Sequence, residues 1–233
     1  MSNLVTGRFV ARPHRFAVRA RLADGREVEA HMGDPGRLRE LLLPDAELRL
    51  RPAPPGSRRK TDYSAALVRS PEPPFPWVSL EPARANDLAE GLLRAGSIEG
   101  LDRPVALRRE VRQGESRFDF RATGAAGETT WIEVKQASLV ERGVALFPDA
   151  PTLRGRRHVE ELTALAGDGQ RAVVLFVVPR DDAKRVRPHE GIDPDFAAAL
   201  AAADAAGVLL RAAAFRLNAE GGAEWLGSLP VET

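Results

Sequence analysis

Asp119, Glu133 and Lys135 have the types and spacing that chemistry on a phosphate needs. Asp119 lies in Arg117-Phe118-Asp119-Phe120, the other two in Trp131-Ile132-Glu133-Val134-Lys135, and both stretches alternate apolar with polar residues. Neighbouring side chains of a strand point to opposite faces. Phe118 and Phe120 are therefore expected on one face and Asp119 on the other, with Ile132 and Val134 facing away from Glu133 and Lys135. The loop from Thr123 to Glu128 carries Gly124 and Gly127, which suits an antiparallel hairpin. A register that sets Asp119 opposite Glu133 brings the carboxylates about 5 Å apart, where one divalent cation can take an oxygen from each. Lys135 follows about 6.6 Å further along the same face.

Two readings of this trio are open. In metal-assisted phosphodiester cleavage, two acids hold Mg²⁺ or Mn²⁺ with waters left on it, and a lysine steadies the developing charge. In the other reading, the three are an ion-pair ladder on the wet face of a hairpin. The choice of cation bears on this: of 34 Lys plus Arg, only Lys60, Lys135 and Lys184 are lysine. A compact ammonium at position 135 in so arginine-rich a chain points to a role that a planar guanidinium does not fill.

The elements that must position these residues form two groups. Phe16 to Leu22, Glu27 to Met32, Ala46 to Arg51, Tyr63 to Arg69 and Trp77 to Leu80 read as short strands, with a helical turn at Leu38 to Leu43. Five such strands predict a compact barrel of the OB type, with a small sandwich as the alternative. Asn86 is expected to cap a helix that ends near Gly96. Strands follow at Val105 to Arg112, Arg117 to Ala122 and Thr130 to Ala137, then a helix at about Arg156 to Ala166. Arg171 to Val178, apolar from Ala172 onward, reads as a central strand, followed by a helix at Pro194 to Ala206 and a last strand at Val208 to Leu217. The predicted organisation is an all-β domain over residues 1–82 and an α/β mixed-sheet domain over 83–233.

With 43% hydrophobic and 29% charged residues over 233 positions, the chain reads as a globular protein, not as a disordered one. The formal net charge is +1, so any surface for nucleic acid has to come from local clustering of arginine and lysine. Cys is absent, which rules out thiolate metal sites and fits a reducing cytosol. No apolar run approaches a membrane span, so a cytoplasmic location is expected.

At Ser116-Arg-Phe-Asp-Phe120, Glu133-Val-Lys135 and Phe147-Pro-Asp-Ala-Pro-Thr-Leu-Arg-Gly-Arg-Arg-His158 the chain resembles the sugar fermentation stimulation protein A family. Arg59-Lys60 with Tyr63, and Asp182-Ala-Lys-Arg185, extend the likeness over nearly the whole chain. The resemblance implies an OB-type domain followed by a PD-(D/E)xK restriction-endonuclease-like domain, with DNA as partner. It puts Asp119, Glu133 and Lys135 at the nuclease motif positions, with Glu90 as a candidate further metal ligand. The turn Gly33-Asp34-Pro35-Gly36 departs from the family's Asn-Thr-Gly. Cleavage does not follow from the resemblance. The alternatives are a non-cleaving DNA-binding accessory regulator of sugar (maltose) utilisation genes and a nucleotide-binding protein.

Phosphate-facing candidates are Arg154, Arg156, Arg157 and His158 at a helix start, where amide donors and the positive dipole end favour an anion. The opposing reading pairs them with Asp149, Glu160 or Glu161. Lys184 and Arg185 lie beyond a strand's carboxyl end, and Arg58, Arg59 and Lys60 form a basic loop. Strandedness of the DNA is open, and a homodimer is allowed for.

Overall fold

The computed structural model describes residues 4–34, 36–57 and 59–233. Pro35 of the expected turn and Arg58 of the expected basic loop lie outside them. The chain divides into two compact units, one of residues 1–84 with 179–182 and 215–226, the other of 85–178, 183–214 and 227–233.

The first unit holds β1 (Val5–His14), β2 (Ala17–Leu22), β3 (Glu27–His31), β4 (Glu47–Pro52), β5 (Tyr63–Arg69) and β6 (Trp77–Ser79). Their order is β3-β2-β1-β4-β5-β6, and β3 also pairs with β5, so five strands close into an OB-type barrel with β6 added at β5. Val18, Ala20, Leu22, Leu48, Leu50 and Val68 fill it, each from alternate positions of its strand. β1 is a strand the alternation does not predict. Its pairing to β2 shifts between Phe9 and Ala11 and again before His14, and such a bulge erases the period of two along Phe9-Val10-Ala11. Leu38 to Leu43 makes a single turn, closed by the Leu42 amide on the Leu38 carbonyl at 2.9 Å. Leu38 itself has φ 47, a left-handed start from which a right-handed helix does not propagate.

The second sheet is mixed, in the order β15-β14-β12-β9-β8-β7. It comprises β7 (Ala106–Gln113), β8 (Ser116–Thr123), β9 (Thr129–Gln136), β12 (Arg171–Val178), β14 (Leu209–Leu217) and β15 (Ala223–Leu229). β7, β8 and β9 run antiparallel, whereas β9, β12 and β14 run parallel. A separate small sheet joins β10 (Leu139–Glu141), β11 (Val144–Phe147) and β13 (Arg185–Pro188). These three, and β15 with its exposed residues and Gly227, are too short or too irregular to leave a periodic signal.

Helices α1 (Pro82–Ala95), α2 (Leu153–Gly167) and α3 (Pro194–Ala205) complete the chain. α1 begins at Pro82, where a fixed φ and a missing N–H cost nothing, and not at Asn86, which sits a turn inside. Val174, Phe176 and Val178 of β12 pack with Val159, Leu162 and Leu165 of α2 and with Phe196 and Leu200 of α3. Each such side chain contributes about 1.5–3 kcal/mol by leaving water. No helix among the described residues is long and apolar enough to cross a membrane.

Asp193 ties the starts of α2 and α3 together. Its Oδ1 accepts the Phe196 amide at 2.9 Å and caps α3, while Oδ2 accepts the Thr152 amide at 2.7 Å. Thr152 in turn caps α2 by accepting the Gly155 amide at 3.1 Å. Asp193→Ala should therefore lower unfolding free energy by about 2–4 kcal/mol, a lost cap plus an orphaned amide. Urea denaturation reads this directly, and a loss under about 1 kcal/mol would mean that water replaces the carboxylate.

Candidate functional site

β8 and β9 pair from Thr123 and Thr129 up to Phe120 and Ile132. Carried one residue further, that register sets Asp119 against Glu133. The ladder gives way there, and the Val134 amide donates to Asp119 Oδ2 at 2.8 Å. Asp119 Oδ1 accepts from Asn86 Nδ2 of α1, also at 2.8 Å. Both oxygens of this half-buried acid are thus oriented by fixed donors.

Glu133, Lys135 and His158 are 4%, 8% and 2% exposed, so they are not on a wet face. A solvated ion-pair ladder is excluded by this burial. Lys135 Nζ donates to Glu133 Oε1 at 2.6 Å, and His158 Nδ1 meets the same oxygen at 2.5 Å. Arg154 Nε approaches His158 Nε2 at 3.4 Å, which makes Nδ1 the ring nitrogen that donates. Two donors converge on Oε1. Glu133 Oε2 is buried with no hydrogen-bond partner among the described residues, an arrangement that costs free energy unless something positive reaches it.

The electrostatics follow from this packing. Burial, then the neighbouring Glu133 charge, push the Asp119 carboxyl up to about 6, although the Val134 and Asn86 hydrogen bonds pull the other way. Burial would raise Glu133 as well, but the Lys135 ammonium and His158 outweigh it and hold that carboxyl below its usual range. Among the described residues there is no group of three or more His, Cys, Asp or Glu that could hold a metal ion. Asp119 and Glu133 are hard oxygen donors, of a kind that suits Mg²⁺, Mn²⁺ or Ca²⁺ better than Zn²⁺.

Two expectations need correcting. Alternation puts Phe118 with Ile132 and Val134, yet its ring lies 5.8 Å from Trp131 and 5.9 Å from His158, in the cluster under α2. β8 is irregular at Asp119: its pairing to β9 ends at Phe120, and Glu110 of β7 has a left-handed φ of 54. His158, grouped by sequence with the phosphate-facing arginines, is instead buried against Glu133. The signal for it was available, since Gly155, His158, Val159, Leu162 and Leu165 form the buried stripe of α2 at helical spacing.

The remaining candidates scatter. Glu90 pairs with Arg94 at 2.7 Å and Arg109 at 3.3 Å, so α1 meets Asp119 through Asn86 and not through Glu90. Arg156 binds Asp195 at 2.5 Å and Glu160 at 3.5 Å, and Arg157 lies 3.9 Å from Glu161. Arg154 and Lys184 are exposed, while Arg185 pairs with Glu232 at 3.4 Å. In the first unit Arg59 and Lys60 are exposed, Arg59 donating to Ser64 Oγ at 3.3 Å.

Comparison with known proteins adds a family. Residues 83–221 match the sugar fermentation stimulation protein RE domain, and residues 10–80 match the N-terminal OB domain named for the same protein. A sugar fermentation stimulation protein homolog of Moorella thermoacetica is 43% identical over 207 residues, covering 89% of this chain and 88% of its own length. One from Methanothermobacter thermautotrophicus is 39% identical, covering 89% and 84%. The solved structure of Pyrococcus furiosus SfsA in complex with Ca²⁺ superposes with a TM-score of 0.89 at 28% identity, over 100% of this chain and 97% of that one.

Proposed function

Because the chain belongs to the sugar fermentation stimulation protein family, we propose that it is a DNA-binding protein whose second domain, residues 83–233, carries a divalent-metal-dependent phosphodiesterase site of the PD-(D/E)xK kind. One observation carries the reading: buried Glu133 presents an unpartnered Oε2 beside Asp119, whose carboxyl is held up by burial and then by its neighbour's charge. A cation between them relieves both costs. That the Pyrococcus furiosus relative was solved in complex with Ca²⁺ supports a divalent site.

Asp119 and Glu133 Oε2 would hold Mg²⁺ or Mn²⁺. When bound, such an ion neutralises phosphate charge and lowers the pKa of a water on it. The chain's own residues do the positioning. Lys135 and His158 fix Oε1, so Oε2 is the oxygen left to point at a ligand. Asn86 and the Val134 amide lock Asp119. The Lys135 ammonium is the charge on hand for a phosphate oxygen next to that carboxylate. We assign phosphate contacts along the DNA to Arg154, Arg157, Lys184, Arg185, Arg59 and Lys60, with Arg156 weaker because two acids already hold it.

The test is cleavage of end-labelled single- and double-stranded DNA with and without Mn²⁺. Lys135→Arg keeps the charge but misplaces it, and should cut turnover by a factor on the order of 10² while binding survives. Equal turnover by wild type and Lys135→Arg would remove Lys135 from the mechanism. In metal-free buffer, Arg154→Ala with Arg157→Ala should weaken duplex binding for all sequences and flatten its salt dependence by about one per lost contact. An unchanged slope would mean that these arginines face elsewhere.

A further inference from the structure

In the first unit, one arginine gathers two loops that are distant in sequence. The Arg12 guanidinium donates to the carbonyl oxygens of Gly36 at 2.6 Å, Arg37 at 2.8 Å, Arg15 at 2.9 Å and Asp34 at 3.1 Å. Asp34 Oδ1 accepts the Gly36 amide at 2.8 Å and shapes the second loop. The result is a surface depression lined by Arg12, His14, Arg15, Gly36, Arg37 and Arg39. Arg15, Arg37 and Arg39 are exposed, and none of them forms an ion pair among the described residues. Like charges collected around one concavity repel one another until an anion enters.

An aromatic ring stands beside them. Arg15 and Phe16 are the two residues at the tip of the β1–β2 hairpin, and Phe16 is 42% exposed with the Arg15 guanidinium 4.6 Å from its ring centre. Its backbone is fixed on both sides, the amide donating to His14 Nδ1 at 3.2 Å and the carbonyl accepting from Met32 at 2.8 Å. The ring is thus held out from the core on a rigid stem. In OB barrels the β1–β2 loop is one of those that take oligonucleotides and oligosaccharides.

We propose that this end of the barrel is a docking surface for single-stranded nucleic acid, with phosphates on Arg15, Arg37 and Arg39 and a base stacked on Phe16. It rests on the nucleic-acid reading of the chain and adds the strand type and the residues. The arginines select a polyanion over a neutral oligosaccharide. The ring selects unpaired bases, because in a duplex the base faces are already stacked on one another.

The experiment is fluorescence anisotropy of a labelled oligothymidylate, and of the same strand annealed to its complement, in EDTA over a range of salt. All substituted side chains are exposed, and a thermal melt checks that the fold is kept. The triple variant Arg15→Gln, Arg37→Gln, Arg39→Gln should flatten the salt slope for the single strand by about two, from three lost contacts at about 0.7 each. Phe16→Ala should weaken single-strand binding on the order of tenfold, leaving the slope and duplex binding unchanged. If wild type binds neither strand form, the nucleic-acid reading falls and takes this one with it. If it binds but the triple variant is indistinguishable from it, this surface alone is overturned. Equal losses for both strand forms, with Phe16→Ala inert, overturn the single-strand assignment.

Discussion

Glu133→Gln is expected to weaken Mn²⁺ binding about a hundredfold or more, and to abolish metal-dependent cleavage, with the fold retained. Mg²⁺ and its substitutes demand near-octahedral oxygen shells, and the proposed site has two carboxylates among the described residues, so losing one would leave too few fixed ligands. Glutamine keeps the volume and one acceptor oxygen, so the Lys135 and His158 contacts at Oε1 can persist. What disappears is the negative charge that offsets the Lys135 ammonium in the buried face. Isothermal titration with Mn²⁺ gives the affinity and circular dichroism the fold. Unaltered Mn²⁺ affinity would place the ion elsewhere.

Asp119→Asn should do something less familiar: in EDTA it should make the protein more stable, and increasingly so as pH rises. A carboxyl moved from 3.8 to about 6 on folding favours the protonated state, so its contribution is full below about 4 and is lost as pH rises through 6. Above pH 7 the ionised side chain costs the metal-free fold about 3 kcal/mol, which the neutral amide avoids. Asn86 can turn its own amide to present the oxygen, so the contact at Oδ1 need not be lost. Differential scanning fluorimetry should show wild type and variant alike at pH 4 and the variant higher by several degrees at pH 8. Mn²⁺ should reverse the order by stabilising the wild type alone. A variant less stable than wild type at both pH values would mean that the hydrogen bonds outweigh the charge. Glu133 runs in the opposite sense. Its carboxyl is depressed, so its stabilisation is present above its ordinary range and is lost as pH falls through the folded value.

Much of this site was legible in the residues. Glu133 and Lys135 alternate with apolar neighbours, and Asp119 falls opposite once Gly124 and Gly127 mark a hairpin. β12 announces itself as an apolar run, because parallel strands under α2 are covered on both faces. The burial of Glu133 and Lys135 was not legible, since it depends on α2 lying over β9, a contact between elements that are not neighbours in sequence. Asn86 was read as a cap because its type suits one, while Pro82 had already started the helix. Phe118 broke the alternation rule because β8 is irregular at Asp119, where its pairing to β9 ends.

The most direct test of the central claim is the anomalous scattering from a crystal soaked with Mn²⁺ and a short oligonucleotide. One peak should bridge Asp119 and Glu133 Oε2, with a phosphate oxygen of the oligonucleotide on the same ion. A crystal holding the oligonucleotide with no peak between these two acids would contradict it.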